Sequence, residues 1–244
     1  MWIVVAGTRM HVRVSGAAGD GPAVALVHGL VVSARYMIPA MKQLALRHRV
    51  YAPDLPGFGK SGKPAHVPGV PGLSDALARW MRKLGLERTA LVGNSMGCQI
   101  IAELAVRHPD LVERVVLQGP TMDPLARSTL RQIGRLLLDA PLESPSLLPI
   151  EVRDYVSTGT GRAWRTFRHA LADRIEEKLP RVRVPALVVR GSRDPVCPQR
   201  WAEEVLGLLP EGQLVVLPGA AHTANYSASD KFVRTIDPFL CGNA

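Results

Sequence analysis

Short apolar runs that alternate with helix-patterned segments most narrow the folds open to this chain. Ala23 to Val27, Arg49 to Ala52, Ala90 to Gly93, Val112 to Gln118, Ala186 to Arg190 and Leu214 to Leu217 are too brief for helices and too apolar to have a solvated face. Between them apolar residues recur at helical spacing. Ala34 to Arg47 carries Met37, Met41 and Leu44, and a helix that Ser74 can cap runs through Leu77, Trp80, Met81 and Leu84 to Gly85. Met96 to His108 is a further helix that Pro109 stops, and Gln199 to Leu209 and Ser227 to Leu240 follow the same pattern. Strands of this kind, interleaved with helices, predict a doubly wound α/β sheet of about eight mostly parallel strands with helices on both faces. The chain opens differently, with Trp2 to Ala6 and Met10 to Val14 flanking Gly7-Thr8 as an antiparallel hairpin.

The pattern breaks between Thr121 and Val184. About sixty residues without a convincing strand hold Pro141, Pro145, Pro149 and Pro180 and at least two amphipathic stretches, Leu125 to Leu138 and Arg162 to Leu179. This reads as a helical cap, residues 121–184, inserted into a core of residues 1–120 and 185–244. The competing reading is a set of ordinary helices packed on the side of the sheet.

Composition excludes several function classes. The net charge of +9 is compatible with an anionic partner, but Lys and Arg are interspersed with Asp and Glu and aromatics are only 5%, so nucleic-acid binding is not expected. No apolar run approaches a membrane span, and Met1-Trp2-Ile3-Val4-Val5 lacks a basic leader, so a cytoplasmic location is expected. The three cysteines, Cys98, Cys197 and Cys241, are odd in number and lack metal-ligand spacing, which argues for apolar fillers rather than a disulfide framework or a metal site.

Gly93-Asn94-Ser95-Met96-Gly97 joins a strand to a helix, the one context in which glycine-serine-glycine spacing has a mechanical meaning. Such a turn presents Ser95 at its tip, and the helix N-terminus offers free N–H groups to a developing anion. The bland alternative is a serine that caps a helix after a glycine turn. A nucleophilic serine needs a histidine base held by a carboxylate. Of seven histidines, His222 follows the last strand within Pro218-Gly219-Ala220-Ala221-His222, whereas His48, His66, His108 and His169 read as solvated. Asp194, in the loop after another strand, is the acid candidate; alone it also reads as a turn aspartate before Pro195, and Asp123 is the competing carboxylate. Backbone amides of Leu30 and Met96 are the expected oxyanion donors, with Gly29 and Val31 at the substrate, and His28 reads as a turn residue rather than a second base.

His28-Gly29, Pro53-Asp54-Leu55-Pro56-Gly57-Phe58-Gly59-Lys60-Ser61, Gly93 to Gly97, Gly191-Ser192-Arg193-Asp194 and Gly219 to His222 together resemble the α/β-hydrolase superfamily. The resemblance implies Ser95 as nucleophile, Asp194 as acid, His222 as base, and Leu30 and Met96 as oxyanion amides, with Asp54 structural. A serine at the elbow departs from the haloalkane dehalogenase and epoxide hydrolase pattern, which has aspartate there. Asn94-Ser95-Met96 is similar both to small bacterial carboxylesterases and perhydrolases and to hydrolases that cleave carbon–carbon bonds in ring-fission products. The apolar Leu30-Val31-Val32-Ser33 lacks the glycine-rich continuation of the latter, and Cys98 stands where a second glycine is common. The expectation is a cofactor-free and metal-free serine hydrolase of a small apolar ester, thioester or lactone; a carbon–carbon hydrolase and a non-catalytic binder on the same fold remain alternatives. The sequence gives no oligomeric state. Because His222 must be neutral to act, activity is expected to rise with pH across a region near the ordinary histidine value of about 6.5, adjusted by its surroundings.

Overall fold

A computed structural model describes residues 1–16 and 21–242. Its eight-stranded sheet has the order β1-β2-β4-β3-β5-β6-β7-β8. The strands are β1 (Trp2–Val5), β2 (Thr8–Ser15), β3 (Val24–Val27), β4 (Val50–Pro53), β5 (Thr89–Asn94), β6 (Val112–Gln118), β7 (Ala186–Gly191) and β8 (Gly212–Leu217). β2 pairs antiparallel with β1 and β4, and every other pairing is parallel. The expected hairpin and parallel core are both present.

Side-chain alternation along the central strands supplies two cores. Ala25, Val27, Leu91, Val115, Leu117 and Val188 face one side, against α2 (Val70–Lys83), α3 (Met96–Arg107) and α8 (Gln199–Leu208). Val24, Leu26, Val92, Val116, Leu187 and Val189 face the other, against α1 (Ile38–Leu44) and α10 (Ser229–Leu240). Because both faces are covered, no polar residue is needed at alternate positions, which is why these runs read as continuously apolar.

Two local expectations are corrected, those for Ser74 and His48, and a third is extended. Ser74 does not cap α2: the helix begins one turn earlier, with Gly69 at its N-cap and Pro71 in its first turn, and Ser74 is buried within it. Pro at that position pre-sets helical φ and sacrifices an N–H that had no partner anyway. The segment after β6 holds more helix than its two amphipathic stretches suggest: α4 (Thr129–Asp139), α5 (Leu148–Thr158), α6 (Thr160–Ala172) and α7 (Ile175–Lys178). α5 is the one that periodicity missed, because its inward residues are polar. His48 is buried rather than solvated, with Nε2 2.7 Å from Asp237 and Nδ1 3.1 Å from the Pro22 carbonyl. Asp237 lies on α10 and also pairs with Arg47, so this contact fastens the end of α1 to α10.

The chain leaves β3 towards β4 on one side and returns to β5 on the other, so a crevice opens outside the carboxyl ends of β3 and β5. At that point the backbones are nearly in contact. A Cβ on Gly97 would lie 2.3 Å from the Val27 carbonyl oxygen, and one on Gly93 would lie 2.7 Å from the Gly97 carbonyl. Cys98 fits where a glycine is common because its thiol is small and donates to the Gly93 and Gln118 carbonyls at 3.2 and 3.3 Å. Gly97→Ala should therefore lower the unfolding free energy by about 1–3 kcal/mol through overpacking, read as a fall in the urea midpoint.

Candidate active site

Ser95 links β5 to α3 with φ +58° and ψ −122°, a backbone geometry that non-glycine residues rarely hold. Its amide donates to the Gln118 carbonyl at 3.0 Å, which ties the turn to β6. The side chain is half-buried and lines a cavity of about 430 Å³ between the strand ends and helices α4, α5 and α6. Gly29 is packed so closely beside it that an added Cβ would lie 3.1 Å from the Ser95 Cβ.

His222 reaches the same cavity from the loop after β8. Its main chain is held from both ends. The carbonyl accepts from Gln118 Nε2 at 2.8 Å and Asn94 Nδ2 at 3.2 Å, and the N–H donates to Asp139 Oδ1 at 3.2 Å. The ring Nδ1 lies 2.9 Å from Asp194 Oδ2. A carboxylate can only accept there, so Nδ1 carries the proton and Nε2 is left as the acceptor of the neutral ring. Nε2 is buried with no hydrogen-bond partner among the described residues. Asp194 is in turn fixed by the amides of Val196 and Cys197, which donate to its Oδ1 at 2.8 and 2.9 Å. Gly119 makes room for the pair: a Cβ there would lie 2.9 Å from the imidazole and 3.1 Å from the carboxylate.

The competing carboxylate lies elsewhere. Asp123 pairs with Arg135 at 2.8 Å and Arg200 at 2.5 Å and accepts from the Leu125 amide, with no contact to His222 among the described residues. Asp54 accepts from the amides of Ala34 and Lys60 at 2.8 and 3.0 Å and lies 2.9 Å from His11, which pins the turn after β4 as a structural residue would. His28 is buried, accepting from the Leu55 amide on Nε2 at 3.0 Å and donating from Nδ1 to the Gly29 carbonyl at 2.9 Å. With both ring nitrogens engaged and burial holding its pKa below the ordinary value, it is a neutral turn residue.

Leu30, Val31 and Met96 line the cavity with Gly29. Among the described residues the amides of Leu30 and Met96 donate to no protein acceptor. Val31 holds φ +60°, an unusual cost for a β-branched residue, beside these two amides. Tyr36 is a contributor that the sequence did not reveal. Its hydroxyl accepts from the Gly29 amide at 2.9 Å and donates to Asn94 Oδ1 at 2.7 Å, linking the loop after β3 to the residue before Ser95.

The cavity wall is apolar where expected, with Val32, Met122, Ile133, Leu136 and Phe167, but it also carries three carboxyl groups from the segment after β6. Asp139, Glu143 and Glu151 line it, and among the described residues no Lys or Arg does. Burial is the main reason that Asp139 is pushed up to about 7, with the neighbouring Glu143 and Asp194 charges adding to it. Burial also raises Glu151. For His222, burial acts downward, but the carboxylates of Asp194, Asp139 and Glu143 outweigh it and push the imidazole up to about 9. The adjustment that its surroundings impose on the ordinary histidine value is therefore upward. Sequence periodicity hid these acids because they come from a segment remote from every motif.

Potential metal ligands cluster, among the described residues, at His48, Asp237 and Cys241, outside this cavity. Both nitrogens of His48 already have protein partners there.

Residues 24–235 match the model of the alpha/beta hydrolase family. A putative carbamate hydrolase, RutD, of Caulobacter sp. (strain K31) is 28% identical over 252 residues, covering 94% of this chain and 94% of that protein. The 2-hydroxymuconate semialdehyde hydrolase of Pseudomonas sp. (strain CF600) is 26% identical, covering 98% and 92%. Among solved structures, the enol-lactonase from Burkholderia xenovorans LB400 superposes with a TM-score of 0.80 at 25% identity, covering 98% and 99%.

Asp139→Asn keeps an oxygen for the His222 amide but removes a negative charge from beside the ring. The imidazole midpoint, followed by NMR in a Ser95→Ala background, should fall below that of the protein with Asp139 intact. An unmoved midpoint would mean that Asp139 does not act on the ring.

Proposed function

Because this chain belongs to the alpha/beta hydrolase family, whose model spans residues 24–235, we propose that it is a serine hydrolase of a carboxylic ester, thioester or lactone. The observation that carries this reading is the His222 ring. Its Nδ1 is committed to Asp194, while its unpartnered Nε2 lies in a cavity that Ser95 also lines. In this reading Nε2 takes the Ser95 proton as Oγ attacks the carbonyl carbon, and Asp194 supports the imidazolium that forms. The tetrahedral oxyanion is met by the free amides of Leu30 and Met96, the second at the N-terminus of α3. Collapse of that intermediate expels the alcohol, thiol or ring oxygen with a proton from His222 and leaves an acyl-Ser95. Water, deprotonated by the same nitrogen, then releases the acid and restores the serine. Residues 121–184 act in this reading as the cap that closes the acyl site above the core.

The second reading is carbon–carbon bond hydrolysis, favoured by the relative named as a 2-hydroxymuconate semialdehyde hydrolase and by another, from a Pseudomonas putida strain, named as a 2-hydroxy-6-oxo-2,4-heptadienoate hydrolase. A dienoate brings a carboxylate into the cavity. Here it would meet Asp139, Glu143 and Glu151 with no Lys or Arg on the wall, so the electrostatics favour an uncharged ester. Side-by-side turnover of an uncharged aryl ester and a ring-fission dienoate decides between the two. The ester should be the faster substrate, and preferential cleavage of the dienoate would reverse the assignment.

Ser95→Ala should reduce ester turnover by about a thousandfold or more and abolish fluorophosphonate labelling, with the Tm of the folded protein preserved. Residual turnover near the wild-type rate would assign the nucleophile elsewhere. Since His222 acts as base only when neutral, kcat/KM should climb as the ring deprotonates, roughly tenfold per pH unit below its midpoint and levelling near about 9. A profile flat from about pH 5 to 10 would remove His222 from that role, whereas levelling near neutral pH would place its midpoint lower than its carboxylate neighbours imply.

A further inference from the structure

Two helices beside the cavity are turned inside out. In α4 the side chains that face inward are polar: Gln132 is 2% exposed and Asp139 6%. Its leucine stripe points to solvent instead, with Leu130 84% and Leu137 70% exposed and Ile133 between them at i+3. α5 repeats the inversion. Asp154 and Thr158 are buried, while Leu148, Val152, Tyr155 and Val156, spaced i, i+4, i+7 and i+8, stand open. Outside residues 125–164, the only large apolar side chains so exposed among the described residues are Met1, Trp2, Val4 and Leu46. An apolar surface concentrated in this way is a contact surface rather than a chance distribution.

We propose that the outward face of α4 and α5 docks on an anionic lipid surface. Charge selects this occupant over a second copy of the chain. On α4 and α5 the exposed charged side chains are Arg131 and Arg153 against Glu151, which belongs to the cavity wall, and the adjoining helix α6 adds Arg165 and Arg168. Two copies meeting through this face would bring arginines together and oppose two net charges of +9. An anionic bilayer instead attracts the arginines while accepting the leucines and the Trp164 ring into its interfacial layer. Ile133, Leu136, Tyr155 and Trp164 are at once exposed and part of the cavity wall, so the cavity opens within this face. The face stands on exposure and charge alone and holds whether or not Ser95 is the nucleophile.

The test is co-sedimentation of the full chain, as Ser95→Ala to keep the lipid intact, with vesicles of phosphatidylcholine alone and of equimolar phosphatidylcholine and phosphatidylglycerol. The protein should bind the anionic vesicles, with affinity falling as salt is raised, and should leave the neutral ones largely unbound. Adding Leu130→Asp, Leu137→Asp and Val156→Asp should weaken binding by about tenfold or more with Tm unchanged, because these side chains support no core. Arg131→Gln with Arg165→Gln should keep the apolar stripe but erase the preference for anionic over neutral vesicles. Failure of the parent protein to bind anionic vesicles would overturn the proposal. So would equal vesicle binding by the aspartate variant, including the case in which light scattering shows it to have dissolved a dimer, which would make the face a self-interface.

Discussion

Everything around Ser95 depends on how closely α3 can approach β3. The helix enters with Gly97 against the Val27 carbonyl, and Gly93 lies against the first turn of the same helix, so backbone packs on backbone with no side chain between. Only under that compression does the chain have to double back in so short a distance that Ser95 takes a positive φ. The strain is therefore held by the packing of the whole sheet, since α3 is pressed down by the apolar side chains that it shares with α2, β5 and β6. The same approach leaves the Met96 amide, beside the crevice, without a protein acceptor among the described residues.

A second device fixes the histidine. Loops move easily, yet His222 is gripped by its main chain through Asn94 and Gln118 on one side and Asp139 on the other. Two of these three come from the ends of β5 and β6, so the imidazole is referenced to the strands that carry Ser95 rather than to its own loop. Asp194 adds a third point through the ring itself. Holding a reactive group by its backbone as well as its side chain keeps its orientation when the cavity fills, because the ligand competes with none of these bonds.

The sheet, and the sequence positions that bring Asp194 to His222 beside the cavity that Ser95 lines, were legible because each depends on local signals. Apolar runs mark strands buried on both faces, and Gly93 and Gly97 stand where backbone leaves no space for a Cβ. The segment after β6 was poorly legible for a physical reason: sequence reading assumes that apolar positions point inward. In α4 and α5 they point outward, so the period was partly visible in α4 but its phase was inverted, and α5 was not recognised at all. The acids of the cavity come from this same segment, remote from every motif. Asp139 reads as an ordinary helix-terminal aspartate until the fold brings it beside His222, and His48 reads as solvated until α10 packs over it.

The bond from the His222 amide to Asp139 joins two parts of the molecule that the chain keeps far apart, the terminus of α4 and the loop after β8. Through it, position and protonation become a single variable. Any displacement of α4 that parts the two residues takes a negative charge away from the imidazole and gives up one of the reasons for its raised affinity for a proton. By linkage, a protonated imidazole favours α4 in place, and a neutral imidazole lessens that hold. The bond thus ties the protonation of the imidazole to the position of the α4 terminus rather than to its own loop alone.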